Sequence, residues 1–313
     1  MKKYKLDSEI IPFTEDNKKK LQTVYTAGDV QEKCFSEGLT NYAAEYGTKG
    51  ILDELNFIAP PCPISSLRFE YKRFGRGDFF IDDINLDIRN LHGDFRQLTQ
   101  SGDNICAKAE NKGLELIIDE SEYNKGCEEA AVRKIMRILI RNELIRAYLL
   151  AIKMAGEPSL KEWSKDSSKP DSDLRELAQS LTNVCGASAN RIILSSDAWS
   201  SRLGYYENSI SGIMSVKQLS EKILVDKMKV SNEFHKKTED DKIIKTPILP
   251  SGMVLAFWGE DEVSLSDFSS IKRFCTDFKV YKEAFSHYIK ITVEHYSLLA
   301  TTGAGSIKAL KVS

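Results

Sequence analysis

Residues 124–154 constrain this chain more than any other stretch, because apolar side chains recur there at helical spacing for about thirty positions. Val132, Ile135, Met136, Leu139, Ile145, Tyr148, Leu149 and Ile152 fall on one stripe, and Arg133, Arg137, Arg141 and Glu143 fill the other face. Ser121 or Asn124 is placed to cap the start, and Gly156 and Pro158 stop the helix. At ~1.5 Å per residue such a helix is a rod of roughly 45 Å, far longer than the usual globular helix. A rod of that length is either a bundle element or the backbone of an elongated domain.

The sequence around the rod reads as mixed helix and strand. Residues 1–60 have sparse apolar positions and read as an arm with short helical pieces, of which "TNYAAEYGTKGILDEL" is the compact one. "APPCP", Ala59 to Pro63, breaks any helix. Leu67, Phe69 and Tyr71 then alternate with Arg68, Glu70 and Lys72, which predicts a half-buried strand. A second strand is expected within "ICAKAENKGLELIID", residues 105–119. The intervening "RFGRGDFFIDDINLDIRNLHGDFRQLTQSGD" mixes glycine, arginine and aspartate without a core pattern and reads as a protruding flap. Beyond the rod come an amphipathic helix in "PDSDLRELAQSL" and a strand that runs into a capped helix at "ANRIILSSDAWSSRL". A helix-plus-strand, "VKQLSEKILVDKMKV", precedes the charged turn "HKKTEDDK" and a strand buried on both faces, "GMVLAFWG". In the closing region Ile289, Ile291 and Val293 alternate with Lys290, Thr292 and Glu294.

Candidate chemistry dissolves on inspection. Ser195, Ser196 and Asp197 follow an apolar strand, where a hydrolase would place its nucleophile, but no G-x-S-x-G elbow surrounds them and helix capping explains them. "TTGAGS" lacks the helix and the downstream acid of a dinucleotide site, so it reads as a turn. His287 and His295 lie eight residues apart, ~26 Å along a strand, and read as ordinary strand-end histidines. Arg76-Gly77-Asp78 reads as a turn, and Asp82, Asp83 and Asp87 lack EF-hand spacing and suit pairing with arginine across chains. Cys34, Cys62, Cys106, Cys127, Cys185 and Cys275 are scattered and are expected to be free, mostly buried thiols. No catalytic, cofactor-binding or metal site is expected. A length of 313 residues suggests two or three packed units, and a net charge of −2 offers no basic footprint for tight nucleic-acid binding. No run approaches the ~18 apolar residues of a membrane span, and the first residues lack the apolar core of a secretion signal, so a soluble intracellular product is expected.

The order of these parts resembles the major capsid proteins of tailed bacteriophages, whose shell fold is shared with encapsulins. The likeness rests on three stretches. "IAPPCPISSLRFEYKRFGRGDFF" is similar to the family's lead-in to its extended loop, and "KGLELIIDESEYNKGCEEAAVRKIMRILIRNELIRAYLLA" to its exit strand and spine helix. "ANRIILSSDAWSSRL" with "LSEKILVDKMKV" and "VLAFWG" is similar to its axial domain. The segment "SNEFHKKTEDDK" departs from common relatives.

The resemblance implies an α+β phage major-capsid fold. Its parts would be an N-terminal arm (1–60), an extended β-hairpin loop and its lead-in (61–119), a peripheral domain with the spine helix (120–160), an axial α/β domain (161–285), and return strands of the peripheral domain (286–313). It further implies a structural subunit, not an enzyme, that assembles with itself into hexamers and pentamers of an icosahedral head around double-stranded DNA. The candidate inter-subunit contacts are Arg68, Lys72, Arg73, Arg76, Asp78, Asp82, Asp83, Asp87, Arg89 and Arg96. Expected partners are a portal, a separate scaffolding protein, a decoration protein and packaged DNA held by non-specific contact, with no membrane and no cofactor. The expected location is the virion, after assembly in the host cytoplasm. Some relatives link neighbours covalently through a loop lysine; Lys72 and Lys108 are the lysines near the flap's strands, nothing marks a partner, and unlinked subunits are expected. The alternatives are an encapsulin-like compartment and, in a different class, an α/β hydrolase or transferase.

Overall fold

The computed structural model describes residues 34–45, 50–75, 102–164, 168–186, 188–207, 214–239 and 242–313. Helices α1 (Glu37–Glu45) and α2 (Ile51–Ile58) come first. The chain enters α2 through Gly50, whose φ of +102° suits glycine, and Asp53 accepts the Gly50 N–H at 3.3 Å. Both helices pack on the main core through Leu39, Ala43, Ile51, Leu55 and Ile58, so this part of the expected arm belongs to the body.

Strands β1 (Pro61–Pro63), β2 (Arg68–Arg73), β3 (Asp103–Lys108) and β4 (Glu110–Asp119) follow. The single strand expected over 105–119 is thus two, and the break falls at buried Ala109, whose N–H donates to Leu67 O at 2.9 Å. The ladder β2–β3 is a separate ribbon, whereas β4 joins a larger sheet.

The rod is α3, Cys127–Ala155, whose 29 residues span about 43 Å. Neither Ser121 nor Asn124 caps it. Gly126 does so in the left-handed region at φ +87°, and Ser121 instead donates to Asp119 within a 3-10 turn, Glu120–Glu122. Gly156, at φ +73°, ends the helix as expected. Val132, Ile135, Met136, Leu139 and Tyr148 are buried, but Leu149 is 63% exposed and Glu143 only 1% exposed. Both therefore sit on the opposite side from the one expected: the covered face turns along so long a rod, reaching Glu143, Leu144 and Ala147.

Next come β5 (Ser159–Lys161), α4 (Pro170–Gln179), α5 (Thr182–Cys185), β6 (Arg191–Ser195), α6 (Ser196–Tyr205), α7 (Val216–Ile223) and β7 (Lys227–Ser231). The charged turn expected at "HKKTEDDK" lies inside a hairpin, β8 (Phe234–Glu239) with β9 (Lys242–Pro247). The chain continues through β10 (Met253–Phe257), β11 (Ile271–Cys275), β12 (Lys279–Ala284), β13 (Tyr288–Thr301) and β14 (Ile307–Val312).

Two five-stranded sheets organise these elements. In the first, β13 pairs with β4 along one edge and with β12 and β11 along the other, and β1 lies outside β11. The second has the order β5-β14-β10-β6-β7, with β6 and β10 buried at every residue. The sheets do not follow the expected divisions at 285 and 286. Strands β11 and β12 belong with β13, while β14 leaves it at the Thr302–Ser306 turn to bury Ile307, Leu310 and Val312 between β5 and β10. The rod's core, with Ile193, Leu255 and Phe257 from one sheet and Val280, Ile291 and Val293 from the other, runs between the two.

Candidate inter-subunit surfaces

The β2–β3 ribbon is fastened to the body of the fold by ring contacts and backbone hydrogen bonds. Phe69 and Tyr71, on the inward face of β2, lie 4.8 and 4.9 Å from Phe274 of β11 between ring centroids. The Lys72 N–H donates to Leu265 O at 3.0 Å, the Phe74 N–H to Thr302 O at 2.7 Å, and the Ala304 N–H to Phe74 O at 3.2 Å. The outward face carries charge: Arg68, Glu70 and Lys108 are exposed, and Arg68 stands directly opposite Lys108; Arg73 and Asp103, paired at the far end of the ribbon on the Phe69 face, are exposed as well. Lys72 differs from the expectation of a free contact residue, since its Nζ donates to Gly102 O at 3.2 Å. Arg76, Asp78, Asp82, Asp83, Asp87, Arg89 and Arg96 lie outside the described residues.

A polar knot that sequence reasoning missed joins the rod to the first sheet. Glu143 Oε1 accepts from Lys112 Nζ of β4 at 2.6 Å and from Ser297 Oγ of β13 at 2.5 Å, with Arg146 at 3.6 Å. Burial opposes ionisation of Glu143, but the hydrogen bonds from Lys112 and Ser297 outweigh it and hold its carboxyl below the usual range. His295 shares the site, buried and stacked on Phe278 at 4.4 Å. Removal from water pushes it down to about 4, so it is neutral at pH 7. It is thus a core histidine in mid-strand, unlike His287 in the turn before β13. The available signal was Glu143 itself, a carboxylate at the helical spacing of Leu139, Ile140, Leu144 and Ala147.

Other buried charges fasten the second sheet. Arg202 grips Asp171 through Nε at 2.7 Å, and Lys222 reaches the other carboxylate oxygen at 2.7 Å. Glu54 of α2 accepts from Tyr148 of the rod and Ser231 of β7, each at 2.6 Å. Burial raises the Glu54 carboxyl despite those two donors. Ser195 resolves the nucleophile question: its Oγ accepts the Ala198 N–H at 3.2 Å, so it is the cap of α6. Trp199 is half-buried and packs against the second core, with the Arg202 guanidinium 5.2 Å from its ring centroid. Cys34, Cys62, Cys106, Cys127 and Cys275 are free, but only Cys62 is buried and Cys106 is exposed beside Glu70. Among the described residues no group of three or more His, Cys, Asp or Glu side chains could hold a metal ion, and no helix is long and apolar enough to cross a membrane.

No protein-family model and no curated protein matches the sequence. Solved structures do match. A phage-related protein from Bordetella bronchiseptica RB50 superposes with a TM-score of 0.69 at 14% identity, over 89% of this chain and 97% of its own. A virus-like particle from Pyrococcus furiosus does so with a TM-score of 0.51 at 14% identity, over 88% of this chain and 99% of its own. The fold is the phage major capsid fold. The long helix expected over residues 124–154 is α3, and the β2–β3 ribbon flanks the segment expected to form the extended loop. The sheet β5-β14-β10-β6-β7, with α4, α6 and α7 packed on it, holds most of the segments expected in the axial domain.

Proposed function

We propose that this chain is a capsid subunit, a structural protein that self-assembles into the hexamers and pentamers of an icosahedral phage head enclosing double-stranded DNA. The observation that carries the reading is the capsid fold, matched along almost the whole of the Bordetella phage-related protein. The stitched root of the extended loop supports it, because a ribbon anchored by Phe274 and outwardly charged can transmit a pull between neighbours. Weak contacts repeated through closed symmetry make a stable container without a catalytic centre. Negative-stain images of the purified chain test this: closed particles tens of nanometres wide are expected, and their absence under all assembly conditions overturns it.

The likeness to a virus-like particle favours a second reading in the same fold, a compartment for protein cargo. Nucleic acid extracted from particles isolated from their natural source, or cargo protein in its place, decides between them. In the head reading the partners are a portal, a decoration protein and a separate scaffolding protein, with assembly in the host cytoplasm and the virion as destination. Uniform shells of native size closed by the subunit alone would remove the scaffold from that set.

A further inference from the structure

We infer that the groove at the end of the first sheet is the docking site for a basic, aromatic segment of the same chain, Lys2-Lys3-Tyr4-Lys5-Leu6, an assignment that goes beyond the capsid reading and does not depend on it. The groove is a cavity of about 300 Å³ walled by Ile118, Glu120, Tyr123, Phe285, Tyr288 and Ile289, where the end of β4 meets the turn between β12 and β13. The Glu120 N–H donates to His287 O at 2.9 Å and the Phe285 N–H to Tyr288 O at 2.9 Å, so the backbone around it is fixed. The rings of Phe285 and Tyr288 stack at 4.5 Å between centroids, yet Phe285 is 47% and Tyr123 48% exposed.

The rim selects a partner that carries cations. Asp119, Glu120 and Glu122 are exposed and are in no ion pair among the described residues. Neighbouring carboxylates are already matched: Glu128 accepts from Lys282 Nζ at 2.7 Å and from Tyr123 Oη at 2.6 Å, and Glu283 lies 2.9 Å from Lys290. The basic residues in the same two turns are Lys125 and His287, so acid outnumbers base at the rim. Lysines brought there meet carboxylates and, beside them, aromatic faces that attract cations.

Residues 2–6 carry both halves of that chemistry in alternation. Successive side chains of an extended segment point to opposite sides, which would put Tyr4 and Leu6 into the groove and Lys3 and Lys5 toward the rim. A cavity of this size does not admit a helix, which is ≈10–12 Å across with its side chains. Lys18-Lys19-Lys20 suits the groove less well, because consecutive lysines put charge on both sides.

Reach favours the segment's own subunit. Residues 1–33 lie outside the described residues. Phe35 bridges to Tyr281 of β12, and the Ser36 N–H donates to Val280 O at 2.9 Å. Tyr281 is four residues from Phe285, ~13 Å along the strand. The 28 residues between Leu6 and Phe35 can span up to roughly 90 Å. The segment therefore reaches the groove with slack, at the high effective concentration of an intramolecular partner.

The test treats the dilute, unassembled full chain with a carbodiimide, which joins a lysine amine to a carboxylate. Links are mapped by mass spectrometry in an equal mixture of heavy-nitrogen-labelled and unlabelled protein. Links from Lys2, Lys3 or Lys5 to Asp119, Glu120 or Glu122 are expected, within single chains. Two variants keep every lysine and every carboxylate: Tyr4→Ser/Leu6→Ser removes the apolar side chains of the segment, and Tyr123→Ser/Phe285→Ser removes the exposed rings of the groove. Each should lower the link yield by about tenfold or more, because burying even one such side chain favours docking by at least about that factor. Absence of these links in the wild-type chain overturns the inference, as do links that join labelled to unlabelled chains. Links from Lys18, Lys19 or Lys20 in their place, or a yield that either variant leaves unchanged, also overturn it. Because the links are read before assembly, their absence leaves the capsid reading standing, and a failure to form particles leaves this inference standing.

Discussion

Lys112 Nζ lies 2.6 Å from Glu143 Oε1, so one charged hydrogen bond in a nearly dry setting couples the long edge strand β4 to the spine helix. Removing one partner of a buried pair strands the other charge and costs about 3–5 kcal/mol. Lys112→Ala should therefore destabilise the subunit by that amount in denaturant melts. The double variant Lys112→Met/Glu143→Met should recover most of it. Costs that simply add across the double-mutant cycle would show that the pair is not coupled.

Acid should loosen the same knot. His295 titrates at about 4 in the folded chain against 6.5 ordinarily, so between those values the unfolded chain binds a proton that the folded chain refuses. Stability therefore falls as pH drops from 6.5 to 4, by up to about 3 kcal/mol from this group. Glu143 acts in the same direction, since its depressed carboxyl contributes stability that is lost as pH falls through the folded value. Lys112, Arg146 and Arg273 also face His295, and each opposes its protonation. In thermal melts, His295→Gln should lower Tm most at neutral pH and least near pH 4. A gap between variant and wild type that stays constant with pH would refute the assignment.

The spine helix gives a mechanical test. Leu139 is buried against the main core, and Leu139→Ala should cost roughly 2–5 kcal/mol. Leu139→Pro should break the rod and cost ~3 kcal/mol or more. Differential scanning calorimetry of the subunit checks both, and an unchanged midpoint in either variant would mean that the rod does not bear on stability.

What was legible in the sequence was what local periodicity encodes. The spine helix was visible because its apolar spacing repeats for eight turns, and Ser195 was visible as a cap because a strand, a serine and a helix adjoin. Glu143 was misassigned because its partners are remote: Lys112 is 31 residues away and Ser297 is 154. The break at Ala109 was invisible because it exists only where one segment changes pairing partner, from β2 to β13. The destination of β14 was equally hidden, since a short apolar segment such as IKALKV reads the same in either sheet. The start of the rod was missed because Gly126 caps it by backbone conformation, with no side chain to signal it.

Charge reversal in the extended loop should act between subunits. Exposed ion pairs contribute only ~0–1 kcal/mol each, but a shell repeats them in every subunit. Arg76→Glu/Arg89→Glu should therefore block or weaken shell closure while leaving the circular dichroism of the subunit unchanged. Wild-type shells should lose thermal stability toward 1 M salt, where the screening length falls to ~3 Å. Normal closure of the double variant with salt-insensitive melting would assign the loop's grip to apolar contacts.

Covalent linkage should be absent. Lys72 Nζ is directed at the Gly102 carbonyl at 3.2 Å, and Lys108 is exposed on the ribbon opposite Arg68. Boiled, denatured particles should migrate as one band near 35.3 kDa. A ladder of multiples would contradict this.

The place of β14 in the axial sheet sets a timetable for the nascent chain. It follows β5, β6, β7 and β10 in the sequence, yet it lies between β5 and β10. Until residues 307–312 have left the ribosome, β10 has a bare edge and β5, paired with β14 alone, has nothing to pair with. A chain still being translated therefore cannot close its second core, which Leu310 and Val312 complete last.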